Sequence, residues 1–267
     1  MKRSQLGVQL AVAWDRLQTA KDLAESVRKV RSMGYGAVEL AAGLPIAARE
    51  IGTILAGEGM ACCGLHVPGS SLYREPATVI AMLEQLSCEI AVYPYPGDFE
   101  IVNAQGLKEI TAQTLSDLVR TLREASRAYR AAGKHIAVHN HSVEFYKIEG
   151  KTVMERLFSE TAPEEVQSEL DTYWVQAGGC DPAEWCRKLR GRLLILHLKD
   201  YGVNAQGKPV DEELGDGNLD WRGIVRAARK AGCRWYVIEQ DGNWDSGDPF
   251  LSMQRSYEYL AGERFLR

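Results

Sequence analysis

Eight short apolar runs, each followed by a segment of helical periodicity or a loop, constrain this chain more than any other feature. The runs are "LGVQLAV" (6–12), "GAVEL" (36–40), "ACCGLHV" (61–67), "EIAVYPY" (89–95), "HIAVH" (135–139), "VQSELD" (166–171), "LLILHL" (193–198) and "RWYVIEQ" (234–240). Between them "TAKDLAESVRKVRSMG", "EPATVIAMLEQLSC" and "LKEITAQTLSDLVRTLREASRAYRAAG" carry the 3.6-residue period of amphipathic helices. Gly34, Gly133 and Gly232 each stand where a helix should stop before the next run. Strictly alternating strands and helices predict an α/β fold with a parallel sheet.

A chain of 267 residues divides into eight such units of about 33 residues each, close to the ~250 residues of a (β/α)8 TIM barrel. The competing doubly wound sheet should announce itself by a glycine-rich turn after its first strand, and "LAVAWDRLQTAKD" has no glycine. No Pro/Gly/Ser linker interrupts the pattern, so one domain over residues 1–267 is expected. The longest aperiodic stretch, residues 201–221, follows the seventh run and should form a lid or wall on the barrel's C-terminal face. Within it "GDGN" (215–218) reads as a turn before a helix starting near Trp221, not as a phosphate loop.

Charge and cysteine usage narrow the function classes. Lys and Arg number 32 against 36 Asp and Glu, a net charge of −4, so no global positive field draws in nucleic acid or an acidic membrane. Cys62, Cys63, Cys88, Cys180, Cys186 and Cys233 include no C-x-x-C pair, which argues against a zinc ribbon and suits reduced thiols in the cytoplasm. The N-terminal apolar run is short and no long hydrophobic segment follows, so neither an export signal nor a membrane span is expected.

In a (β/α)8 barrel the chemistry gathers at the C-terminal ends of the strands. The ends of runs six, seven and eight carry Asp171, His197 and Glu239, all metal-ligating types. Period two puts Gln167, Glu169 and Asp171 on one face, Ile195, His197 and Lys199 on another, and Val237, Glu239 and Asp241 on a third. Each side chain alone is more simply a turn cap or a satisfied polar group, but three at equivalent positions around one axis point to a shared ion. Run five offers "HNHSVEF", in which the strand period brings His139 nearest to that ion. Glu144, further along, would reach it only if the loop folds back. Lys199, buried on the face of His197, would need an anionic partner. His66 ends run three, and Trp14, Tyr173 and Trp174 at strand ends offer an apolar wall for a small ligand.

These residues resemble those of the sugar phosphate isomerase/epimerase family, the xylose isomerase-like barrels. The likeness runs through "GVQL", "MGYGAVELA", "GLHVP", "HNHSVEF", "ELDTYWVQAGG", "LHLKDY", "LGDGNLDW" and "VIEQD", and "HNH" followed by "EF" marks a subgroup. The resemblance implies a divalent metal held by Glu, Asp, His and Glu, which fall here on Glu144, Asp171, His197 and Glu239. That oxygen-rich set suits Mn²⁺, with Mg²⁺, Co²⁺ and Zn²⁺ as alternatives; a site with His139 in place of Glu144 leans to zinc. Many members have a glutamate where this chain has His139.

The reaction so implied is isomerisation or epimerisation of a small sugar or polyol derivative through a metal-bound enediolate. Glu144 and Glu239 are its candidate acid and base, with His139, His141 and Lys199 binding or protonating oxygens, and His66, Trp14, Tyr173 and Trp174 contacting substrate. A lyase, of the inosose dehydratase kind or eliminating from a 3-keto-glycoside, is the runner-up. An abasic-site endonuclease-like barrel would need more metal ligands than five histidines suggest, and a non-catalytic sugar-binding barrel would need no metal. The expected partner is a small molecule, with a homo-oligomer compatible.

Overall fold

The computed structural model describes every residue except Ala104, Leu107, Arg264 and Arg267. Eight strands form a closed parallel barrel: β1 Leu6–Gln9, β2 Ala37–Ala41, β3 Ala61–His66, β4 Ile90–Tyr93, β5 His135–His139, β6 Gln167–Asp171, β7 Leu193–Leu198 and β8 Trp235–Ile238. Each strand pairs with its neighbours in sequence, and β1 closes the ring on β8 with Gly7 opposite Val237.

The eight expected runs coincide with the eight strands, several a little shorter than their apolar stretch. β1 ends at Gln9 because the Gln9 side chain accepts a hydrogen bond from the Ala11 N–H and opens a 3₁₀ segment, Leu10–Arg16. β8 ends at Ile238, which leaves Glu239 just past the strand. Helix Ala20–Met33 is capped by Thr19 and stopped by Gly34 at φ +112°. Helix Ala112–Ala131 starts later than its periodicity suggests, because Thr111 caps it and Lys108–Glu109 pairs with Ile101–Val102 in a small hairpin.

Alternation along each strand divides the core in two. Leu6, Val8, Val38, Leu40, Leu196 and Leu198 face the helices, whereas Ala37, Cys63, Ile90, Val92, Ala137, Ile195 and Val237 fill the barrel interior. Gly64 on β3 is needed for a close approach, since a Cβ there would stand 2.2 Å from Glu39 Oε1.

The aperiodic stretch after β7 is ordered. Asp200–Val203 pairs antiparallel with Pro209–Glu212. The buried Asp200 carboxylate then gathers the rest, accepting from Gly215 N at 2.8 Å, Leu219 N at 3.3 Å and Trp221 Nε1 at 2.7 Å. Periodicity could not reveal this, because one side chain organises the segment. Helix Trp221–Ala231 begins at the residue expected, capped by Asp220.

Candidate metal centre

The C-terminal ends of seven barrel strands, all but β4, carry the site. Register sets the pairs: Gln9 lies opposite Glu39, His139 opposite Glu169 and Asp171 opposite His197. Two overlapping donor groups result. His139, Asp171, His197 and Glu239 each offer a ligand atom within 4.8 Å of the others, and so do His66, His139, Glu169 and His197. The first group lies at the rim; the second extends inward along the strands.

Hydrogen bonds hold the inner group. Glu169 Oε1 lies 2.7 Å from His66 Nε2, 3.0 Å from His139 Nδ1 and 3.1 Å from His197 Nε2. Glu39 Oε2 accepts from Gln9 Nε2 at 3.0 Å and lies 2.6 Å from His197 Nε2. Both glutamates are fully buried, and Glu39 Oε1 and Glu169 Oε2 have no hydrogen-bond partner. Burial alone would raise the Glu39 carboxyl, but the charges of His197 and His66 outweigh it and hold it low. Burial, with Glu39 beside it, pushes Glu169 up to about 7.

At the rim, His197 Nδ1 lies 3.1 Å from Glu239 Oε2 and 3.9 Å from Asp171 Oδ2. Asp171 is fixed from both sides: its Oδ1 caps Trp174 N at 3.0 Å, and its backbone N–H donates to Asn140 Oδ1 at 3.0 Å. Its Oδ2 is buried without a partner. Burial raises the Asp171 carboxyl well above the ordinary range. Lys199 is the cation of this rim: buried, it reaches Glu239 Oε2 at 3.3 Å, pairs with Asp241 and lies 3.9 Å from Asp211 Oδ2. Burial would strip its proton, but Glu239, Asp171 and Asp241 outweigh that and keep it charged. Asp211 comes from the hairpin after β7 and accepts from Asp241 N at 2.7 Å, so that hairpin walls the site.

The remaining candidates separate clearly. Glu144 belongs to neither donor group; its Oε2 accepts from His141 N at 2.7 Å, and burial pushes its carboxyl up to about 7. His141 packs between Trp174, at 5.2 Å between ring centres, and Tyr95, at 5.5 Å, and burial lowers it to about 4. Tyr173 and Trp174 stand over the Lys199 ammonium at 5.6 and 5.3 Å. His66 lies in the inner group, and Trp14 is 36% exposed. Gln9, Glu39 and Asp211 escape sequence reasoning. Glu39 leaves one signal, a lone carboxylate in an apolar strand.

Fold and rim together define a (β/α)8 barrel with an imidazole–carboxylate centre at the C-terminal end of its strands. Residues 27–261 match the xylose isomerase-like TIM barrel family, and the chain belongs to it. An inosose dehydratase of Geobacillus thermodenitrificans is 25% identical over 143 residues, which make up 48% of this chain and 47% of that protein. The chain thus matches about half the length of this curated relative. The structure is similar to a sugar phosphate isomerase/epimerase of Parabacteroides distasonis, with a TM-score of 0.80 at 19% identity over 98% of this chain and 95% of that one. A likeness to L-ribulose 3-epimerase has a TM-score of 0.73 at 12% identity, covering 98% and 94% of the two chains. No helix among the described residues is long and apolar enough to cross a membrane.

Proposed function

We propose that this protein is a divalent-metal-dependent isomerase or epimerase of a small sugar or polyol derivative. The observation that carries the reading is the rim group, two imidazoles and two carboxylates with donor atoms within 4.8 Å of one another. The buried, unpartnered Asp171 Oδ2 supports it, because a bare carboxylate oxygen is costly in such a place unless a cation meets it. His139, Asp171, His197 and Glu239 would hold the ion, and this donor set brings Zn²⁺ and Co²⁺ forward beside Mn²⁺. When bound, a divalent ion supplies a Lewis acid that polarises the substrate carbonyl.

The chain's own groups do the rest. Glu239 takes the proton from the carbon next to the carbonyl, and Glu144, raised by burial towards neutrality, returns one to the opposite face. Lys199 stays charged beside Glu239 and donates to the oxygen on which charge develops. Tyr173 and Trp174 cover the lysine and keep water from it. Because Lys199 already faces Glu239, Asp241 and Asp211, the rim favours an uncharged polyhydroxy carbonyl compound over a phosphorylated one.

A dehydratase is the second reading, supported by the likeness to inosose dehydratases. It requires a proton donor for the departing oxygen, and His141, lowered to about 4, is uncharged at pH 7, which ranks it second.

Incubating the metal-loaded protein in deuterated water with ketoses, inososes and 3-keto-glycosides tests both readings. Deuterium beside the carbonyl without loss of a substituent supports the isomerase; loss of water or of the aglycone supports the lyase. Neither exchange nor turnover across the panel would sink the enzymatic reading.

A further inference from the structure

We propose that Glu39 and Glu169 are positioning residues that set the tautomers of His197 and His139, turning one lone pair of each imidazole towards the rim. The inference rests on the metal reading above and concerns groups that touch neither substrate nor ion.

A neutral imidazole has one N–H and one lone pair, and an ionised carboxylate only accepts. His197 Nε2 faces Glu39 Oε2 at 2.6 Å and Glu169 Oε1 at 3.1 Å, so Nε2 carries the hydrogen. In the neutral, ligating form of the ring Nδ1 is then the lone-pair nitrogen, and it faces Glu239 and Asp171. Those two acceptors call for a cation at Nδ1, a proton in the metal-free ring and a divalent ion in its place when the site is loaded. His139 is turned the other way round: Nδ1 faces Glu169 Oε1 at 3.0 Å, which leaves Nε2 as its lone-pair nitrogen. Each ring therefore has one lone pair to give, so the inner and rim groups cannot both bind through His139 and His197.

The energetics point the same way. Glu39 and Glu169 are fully buried, each with one oxygen that meets no donor. Buried carboxylates in this state are poor stabilisers, and apolar replacements of similar volume are commonly neutral or better. Gln9 Nε2 spends a hydrogen bond on holding Glu39 Oε2, and Gly64 supplies the space for Oε1. These features orient a carboxylate against a ring nitrogen, an arrangement that fixes ring orientation and raises ligand basicity at metal centres.

Protein labelled with ¹⁵N at histidine, titrated with Zn²⁺ as the probe, tests this directly. The expected result is that Zn²⁺ shifts His197 at Nδ1 and His139 at Nε2, while the opposite nitrogen of each keeps its proton. Glu39→Gln, whose amide can present N–H where the carboxylate accepted, should weaken Zn²⁺ binding about 10- to 100-fold and disturb the His197 signals first. Glu169→Gln should act first on His139. Zn²⁺ on His197 Nε2 or His139 Nδ1, or unchanged affinity in both variants, would overturn the proposal. If Zn²⁺ moves no histidine signal in the unsubstituted protein, the metal reading falls, and this one with it. The tautomer result needs no variant, so it decides the matter even where Glu39→Gln fails to fold.

Discussion

On five of the eight strands the barrel interior changes character within one pleat. Gly7, Ala37, Ala137, Ile195 and Val237 lie two residues before Gln9, Glu39, His139, His197 and Glu239. A step of two residues is about 6.6 Å along a strand and returns to the same face. Below that step the side chains are small or branched and buried; above it they are imidazoles, carboxylates and an amide. The lower layer needs only volume and apolarity. The upper layer spends stability on buried charge, which is reasonable only where those charges meet a ligand.

Substitutions above and below the step should therefore fail in different ways. The largest effect is expected of His197→Ala, which removes a side chain that belongs to both donor groups and meets Glu39, Glu169 and Glu239. Turnover should fall by about 10³-fold or more, with Zn²⁺ stabilisation lost and the fold retained in circular dichroism. Ile195→Ala, one pleat lower on the same strand, should cost about 2–5 kcal/mol in denaturant unfolding yet leave Zn²⁺ affinity unchanged. Loss of metal binding in that variant would erase the division between the layers.

A finer contrast lies within the upper layer. His139→Ala should abolish the rise in melting temperature on adding Zn²⁺, whereas Glu144→Ala should preserve most of it. The reverse outcome would put Glu144 in the ligand set and take His139 out of it. The smallest effect concerns pH. Burial raises the Glu144 carboxyl from 4.5 to about 7, so the folded state favours its protonated form. That contribution is fully present below about pH 4.5 and is lost as pH rises through 7. Glu144→Gln, which never ionises, should melt higher relative to the unsubstituted protein at pH 8 than at pH 5. An equal difference at both pH values would remove the burial account.

Much of the upper layer is legible from strand ends alone. Asp171, His197 and Glu239 stand at equivalent positions on successive runs, and period two adds His139. Glu39 and Gln9 are not legible in that way. Each is a single polar residue in an apolar strand, and what gives Glu39 meaning is His197, 158 positions away in the chain. The hairpin of Asp200–Val203 and Pro209–Glu212 is hidden for a related reason: its strands are too short for a period, and the carboxylate of Asp200 holds the turns behind it together. Local pattern yields the strands and their order; contacts across the barrel have to be seen.

The bare Cα of Gly64 has a consequence for how this chain can change over generations. The space where its side chain would stand is filled by Glu39 Oε1, so residues 39 and 64 are not independent positions. A side chain at 64 must either displace the Glu39 carboxylate or be matched by a shorter residue at 39, and either change disturbs the contact with the His197 ring. Two codons 25 apart are thereby coupled through a hole, and a lineage that fills it also gives up the carboxylate behind its imidazole.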